Sequence, residues 1–276
     1  HYALLQDEWA MARNWQLTAG VRTDQYSDFG NTTNPRLALV WETTPVLTTK
    51  LLVGRAFRAP SFAEMYVRSP VYAGNPDLKP ETLDNWETVF ALQPNAHWIY
   101  SLSVFRYRIH DFISTVARPG LIGQFENVGK RTGTGGEAEL TWTPTPTVTW
   151  LANYSYQRST DNKTDAAVGE YPLHQIYTRL DLQLNHDWKL SPQVNYVGSQ
   201  KRIEDDPRAP VQAYTTLDIT LRKHWRSPEM DAAVTLSNAF DADVREPSPY
   251  GVPSTGIPGD FPMPGRAVRA EASYRF

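Results

Sequence analysis

Residues 148–157 read VTWLANYSYQ, and their alternation decides the fold. Val148, Trp150, Ala152, Tyr154 and Tyr156 fall on one side of an extended chain, opposite Thr149, Asn153, Ser155 and Gln157. A period of two marks a strand with one apolar face. The pattern recurs in both directions from here. Trp15, Leu17, Ala19 and Val21 alternate with Gln16, Thr18, Gly20 and Arg22, and Leu37, Leu39 and Trp41 with Arg36, Ala38 and Val40. Ala138, Leu140 and Trp142 oppose Glu137, Glu139 and Thr141; Ile176, Leu180, Leu182 and Leu184 face away from Arg179, Asp181, Gln183 and Asn185. Near the end, Val268, Ala270, Ala272, Tyr274 and Phe276 oppose Arg269, Glu271, Ser273 and Arg275. No long stretch keeps a helical period, so the chain reads as all-β.

The pattern predicts about thirteen strands, at 2–11, 14–25, 34–42, 47–57, 83–93, 98–116, 124–143, 147–158, 174–184, 188–200, 214–224, 231–239 and 266–276. Many match the roughly 9–11 residues a tilted strand needs to cross a bilayer, and exceed the five or six usual in soluble sheets. Short connections near 12–13, 43–46, 94–97, 144–146, 185–187 and 225–230 alternate with long ones near 26–33, 58–82, 117–123, 159–173, 201–213 and 240–265. That asymmetry fits an antiparallel, up-and-down transmembrane β-barrel with short periplasmic turns and long extracellular loops. Arg22, Asp24, Glu139, Arg179, Asp181, Asp218, Arg222, Glu271 and Arg275 are costly in a dry core and natural in a wet lumen. Trp9, Trp15, Trp41, Trp98, Trp142, Trp188 and Trp225 stand near strand ends, where an interfacial girdle belongs. A soluble sandwich or propeller is the alternative, and no repeat of about 40–50 residues supports the latter.

Composition narrows function further. No apolar run of about 18 residues exists, which excludes an ordinary transmembrane helix. A net charge of −3 gives no electrostatic case for nucleic acid. The absence of cysteine excludes disulfides and thiolate sites. Ser61 and Ser237 lack the setting of a catalytic nucleophile, and no carboxylate pair stands out, so an enzyme is not expected. The six histidines are scattered, and neither a metal site nor a cofactor is expected.

One connection stands apart. Residues 54–82, GRAFRAPSFAEMYVRSPVYAGNPDLKPET, are too rich in proline for a continuous helix or central strand. Phe57, Phe62, Tyr66 and Tyr72 argue against disorder. A long ordered connection of this kind is usually functional.

Taken together, ordered motifs give the chain a resemblance to the C-terminal part of TonB-dependent outer-membrane receptors. They are Gln6-Asp7-Glu8-Trp9, Gly20 to Asp24, Asn34-Pro35-Arg36-Leu37, and above all Phe57-Arg58-Ala59-Pro60-Ser61-Phe62 with Gly74 to Glu81. Asp111-Phe112-Ile113, Glu126-Asn127-Val128-Gly129 before Gly136-Glu137, Leu236 to Asp241, Pro264-Gly265-Arg266 and the terminal Tyr274-Arg275-Phe276 complete the set. The resemblance implies a 22-stranded barrel, of which residues 1–276 supply about the last thirteen strands, with the N-terminal plug absent. Parity leads to the same expectation, since an inward-running last strand puts His1 near the outer face and leaves an odd number of strands missing. An isolated chain would then expose two unpaired strand edges. The implied location is the bacterial outer membrane, among its lipids. The implied partners are the TonB system, reached through the plug, and the barrel-assembly machinery, which would read Tyr274 and Phe276; an interfacial anchor is the plainer role for Phe276.

The resemblance also implies import of a scarce nutrient bound by the outer loops, above all a ferric siderophore. Such a ligand suits Arg or Lys for its anionic charge and aromatic rings for its faces. Arg58, Tyr66, Arg68 and Tyr72 in the first long loop offer both, with Lys201 and Arg202 in a later loop and Tyr250 in the proline- and glycine-rich 240–265 loop. Haem receptors of the family carry a histidine between the two boxes, and Ala59 to Asn75 contains none. Cobalamin or another nutrient, and a passive porin-like or structural barrel, are the alternatives.

Overall fold

The computed structural model describes the chain apart from residues 71, 119–120, 170, 204–205, 249–258 and 276; of residues 117, 121 and 122 it describes the backbone alone. The alternating segments become long strands: β1 (Tyr2–Ala12), β2 (Trp15–Tyr26), β3 (Gly30–Thr44), β4 (Leu47–Arg58), β6 (Glu81–Asn95), β7 (Trp98–Arg118), β8 (Leu121–Thr145), β9 (Val148–Asp161), β10 (His174–Gln183), β11 (Trp188–Val197), β12 (Tyr214–Arg226), β13 (Glu229–Ser237) and β16 (Ala267–Tyr274). These thirteen strands pair in chain order in one antiparallel sheet. The loops hold three two-residue strands, β5 (Tyr72–Ala73), β14 (Arg245–Glu246) and β15 (Phe261–Pro262), and a one-turn helix, α1 (Phe62–Tyr66).

Register explains why alternation works. The residues fall into two packed units. In the first, formed by residues 1–90, 103–135 and 158–168, Trp9, Leu17, Leu39 and Leu51 stand opposite one another across β1 to β4. In the second, formed by residues 91–102, 136–157 and 169–276, Leu182, Leu190, Leu221, Val234 and Ala270 line up across β10 to β16. These aliphatic rows are not a buried core. Val53, Val234 and Val268 are 42%, 50% and 70% exposed, the inside-out arrangement of a lipid-facing sheet.

The opposite face is polar and internally paired. Arg22 meets Asp24 at 2.7 Å, and Arg36 bonds Gln6. In the second unit the Ser191 hydroxyl donates to Asp181 at 2.6 Å, Gln193 donates to Asp218 at 2.9 Å, and Arg222 stands 3.3 Å from Glu271. Aromatic rings collect beside the short turns. Trp15 stacks on Trp41 at 4.9 Å and Trp98 on Trp142 at 5.0 Å, while the Lys223 ammonium lies 5.0 and 4.6 Å from the Trp188 and Trp225 rings. Stacked aromatics with cations at a strand end are suited to a membrane interface.

Two connections differ from the sequence expectation. Residues 26–33 are not a long loop: β2 and β3 continue until only residues 27–29 separate them. Gly30, at a φ of 87°, allows the tight reversal, and Tyr26 stacks on Phe29 at 4.3 Å to hold it. Likewise β7 runs on to Arg118 and β8 begins at Leu121, so most of 117–123 belongs to strands rather than to a long loop. By strand order, the β4–β6, β9–β10, β11–β12 and β13–β16 connections join the same strand ends as the β2–β3 and β7–β8 connections.

Candidate functional site

The loop between β4 and β6 is built from its two sequence boxes. Pro60 breaks the strand, and Ser61 then caps α1: its hydroxyl accepts the Glu64 N–H at 3.2 Å, while the Glu64 carboxylate accepts the Ser61 N–H at 2.7 Å. α1 buries Met65 against Leu78 and Ile113, with Phe125 packed alongside. The chain reverses through Ser69, whose N–H donates to the Tyr72 carbonyl at 3.0 Å. It returns so closely that the Gly74 N–H donates to the Val67 carbonyl at 2.7 Å. A Cβ on Gly74 would stand 2.6 Å from the Met65 carbonyl oxygen, closer than a methyl group tolerates. Glycine is required there by space.

A charged clamp joins the boxes. The Arg58 guanidinium donates to both oxygens of Glu81, at 2.8 and 2.8 Å, and to both of Glu64, at 2.9 and 3.1 Å. Glu81 also accepts the Ile113 N–H at 2.7 Å. One arginine therefore ties the end of β4 to the helix and to the start of β6. Burial alone would push the Glu64 carboxyl up, but bonds from Arg58 and Ser61 outweigh it and hold the group below its usual range. Asn127 staples the second box from β8. Its side-chain oxygen accepts the Lys79 N–H at 2.9 Å, and its amide donates to the carbonyls of Lys79 at 2.9 Å and Asp111 at 2.7 Å. Asp111 adopts a φ of 55° to present that carbonyl.

This arrangement sorts the residues expected from sequence. Arg58 has its donors committed to the clamp. Tyr72 is partly buried, its ring 6.2 Å from that of Phe125. Tyr66 is exposed and pairs with Phe62, ring centroids 5.0 Å apart; Phe62 is 81% exposed. Arg68, two residues on, is exposed and forms no ion pair among the described residues. The loop thus presents two aromatic faces and a cation on a rigid mount. Phe62, Glu64, Glu81 and Asn127 were not assigned roles from sequence, although the spacing Ser61-x-x-Glu64 is a helix-cap pattern that could have been read.

The later loops are braced similarly. Arg202 donates to both oxygens of Asp260 at 2.6 and 2.7 Å, and its side chain is 8% exposed, so its charge is spent internally. The Arg202 guanidinium in turn holds Asp260 below the usual carboxylate range. Lys201 is exposed. Asn238, at a φ of 48°, exchanges two side-chain bonds with Ala242 at 2.9 Å each, and Asp241 accepts the Arg266 N–H at 2.8 Å. Tyr274 is exposed, and Tyr250 and Phe276 lie outside the described residues. No group of three or more potential metal-ligating side chains occurs among the described residues.

Comparison with known proteins agrees on the architecture. A family model described as TonB dependent receptor-like, beta-barrel, matches residues 1–239. The iron-regulated outer membrane virulence protein of Vibrio cholerae is 30% identical over 270 residues, covering 87% of this chain and 40% of that protein. The ferrienterobactin receptor of Escherichia coli is 26% identical over 211 residues, covering 67% of this chain and 28% of that protein. Among solved structures, the siderophore receptor PirA from Acinetobacter baumannii superposes with a TM-score of 0.84 at 22% identity, covering all of this chain and 45% of that one. The chain thus spans less than half the length of these relatives.

Proposed function

The chain belongs to the TonB-dependent receptor β-barrel family and is an outer-membrane protein rather than an enzyme, and on that premise we propose that it forms part of a receptor that imports a ferric siderophore. Ligand is captured at the long-loop end. The TonB system then drives uptake through a plug supplied by the rest of the protein. The observation carrying the ligand class is the exposed Phe62–Tyr66 pair with Arg68, which forms no ion pair among the described residues, held on the clamped loop. Flat aromatic faces beside a guanidinium suit an anionic chelate with planar metal-binding arms. The names of the V. cholerae and E. coli relatives support iron as the cargo. Lys201 and Tyr250 are proposed as further contacts; Arg58, Tyr72 and Arg202 contribute by holding the loops. Tyr274 and Phe276 are proposed as the signal read by the barrel-assembly machinery.

The test is binding and energised uptake by the full-length receptor across ferric catecholates, ferric hydroxamates, cobalamin and haem. Uptake of an iron chelate that stops when the proton gradient is collapsed supports the proposal. Selective cobalamin or haem uptake, or gradient-independent passage, overturns it.

A further inference from the structure

The second packed unit holds a pocket to which the clamped loop contributes no residue. Its floor is set by register. Gln175 of β10, Val197 of β11 and Tyr214 of β12 stand level with one another. They share the alternate sets of Asp181, Ser191 and Asp218, so the row lies on the polar face of the sheet, at its long-loop end. Gln200 forms a wall, exchanging two backbone hydrogen bonds with Val211 at 3.0 Å each and bridging to Pro172. In the β14–β15 hairpin Glu246 pairs with Phe261, and Glu246, Pro247 and Phe261 close on the same cavity, of about 580 Å³.

Two arginines hold that hairpin in place. Arg202 grips Asp260, the neighbour of Phe261, at 2.6 and 2.7 Å. Arg208 donates to the hydroxyl and the carbonyl of Ser248, the neighbour of Pro247, at 2.8 and 2.7 Å, and to Asp206 at 2.7 Å. Both guanidinium groups are thus spent on the frame, and the single charge on the lining is that of Glu246.

The polar groups of the lining are not spent in this way. The side chains of Gln175, Gln200, Tyr214 and Glu246 make no hydrogen bond or ion pair among the described residues. Gln200 is 6% exposed, and burying a carboxamide without a partner is costly unless a ligand supplies one. The lone carboxylate opposes an anion. An ammonium group, which only donates, leaves the amide and phenol donors unanswered. Hydroxyl groups both donate and accept, so they can satisfy all four side chains, while Phe261 and the two prolines bed the apolar faces of a ring. We infer that this pocket binds a neutral, hydroxyl-rich, sugar-like group. The site stands independently of the ligand class proposed above, and the sugar could be a free saccharide or part of an imported chelate.

The experiment is saturation-transfer NMR on the detergent-purified full-length receptor, with cellobiose and spermidine as separate probes. Cellobiose should receive saturable transfer from wild type. Gln200→Leu, a change of similar volume, should weaken its binding several-fold, and Gln200→Leu/Tyr214→Phe/Glu246→Ala at least about tenfold, because a site built to bond hydroxyls loses most of its hold without its partners. Heat-modifiable migration reports folding of both variants. Equilibrium binding of a ferric tris-catecholate with and without appended glucosyl groups then separates the sources: tighter binding of the glucosylated form places the sugar on the chelate, and equal binding of the two, or of neither, places it on a free saccharide. No transfer to cellobiose from wild type, a result needing no variant, overturns the inference. So does transfer that the folded triple variant keeps, or binding of spermidine in preference to cellobiose, which would mean an ammonium site.

Discussion

Replacing Arg58 by alanine should release the outer loop while leaving the sheet intact. The guanidinium makes four hydrogen bonds to two carboxylates, and its side chain is 46% exposed against 16% for Glu64 and 11% for Glu81. Breaking a fully buried pair costs about 3–5 kcal/mol, because a charge is left stranded. Solvent reaches the arginine side of this clamp, and screening lowers the expected cost to about 2 kcal/mol. That cost falls on local opening, because the sheet does not depend on the clamp. Hydrogen exchange of the full-length receptor in micelles reads it directly. The N–H groups of Gly74, Asn75, Lys79 and Ile113 donate within this assembly, and their exchange should accelerate about thirtyfold, the equivalent of 2 kcal/mol. Amides in the middle of β2 and β12 should not change. Arg58→Lys, which keeps the charge but loses the double fork, should fall between. Unchanged protection at Gly74 and Lys79 in Arg58→Ala would refute the clamp.

Further outcomes follow from the same geometry. Gly74→Ala should disrupt the loop by roughly 1–3 kcal/mol, read as faster exchange at Val67 and Asn75, because its Cβ meets the Met65 carbonyl at 2.6 Å. Asp260→Asn should increase protease cleavage in 198–213, since it leaves the Arg202 guanidinium, 8% exposed, without its counter-charge. The clamp should also be acid-labile. Glu64 titrates below its usual range in the folded loop, so its contribution is complete above the unfolded value of about 4.3 and is lost as pH falls through the lower folded value. Exchange at Asn75, corrected for intrinsic pH dependence, should therefore be flat from about pH 8 to 5 and rise below about 4.

How much of this was legible in the sequence depends on whether the controlling interaction is local. Alternation such as Val148 to Gln157 is local, and it placed all thirteen long strands in order. Strand ends depend on turn chemistry and on partners. Gly30 with Tyr26 and Phe29 let β2 and β3 outrun the bilayer belt, which hydrophobic period alone does not foresee. The two boxes identified the family, but not their own mechanics. Arg58 and Glu81 are 23 positions apart and Lys79 and Asn127 are 48 apart, so their pairing exists only in the fold. Arg58 and Arg202 looked like free cations for a ligand because sequence does not reveal the carboxylates that neutralise them. Phe62 and Tyr66 were visible as aromatics, and only the one-turn helix shows that they point outward as a pair.

The central claim is that the clamped loop is a ligand-binding element. The direct measurement is equilibrium binding of ferric enterobactin, a tris-catecholate complex, to whole cells displaying the full-length receptor, with Phe62→Ala/Tyr66→Ala/Arg68→Gln beside wild type. These side chains are exposed, so surface display and folding should be unchanged. Saturable binding by wild type, weakened at least about tenfold in the variant at equal display, is the predicted result. Wild-type affinity retained by the variant would contradict it.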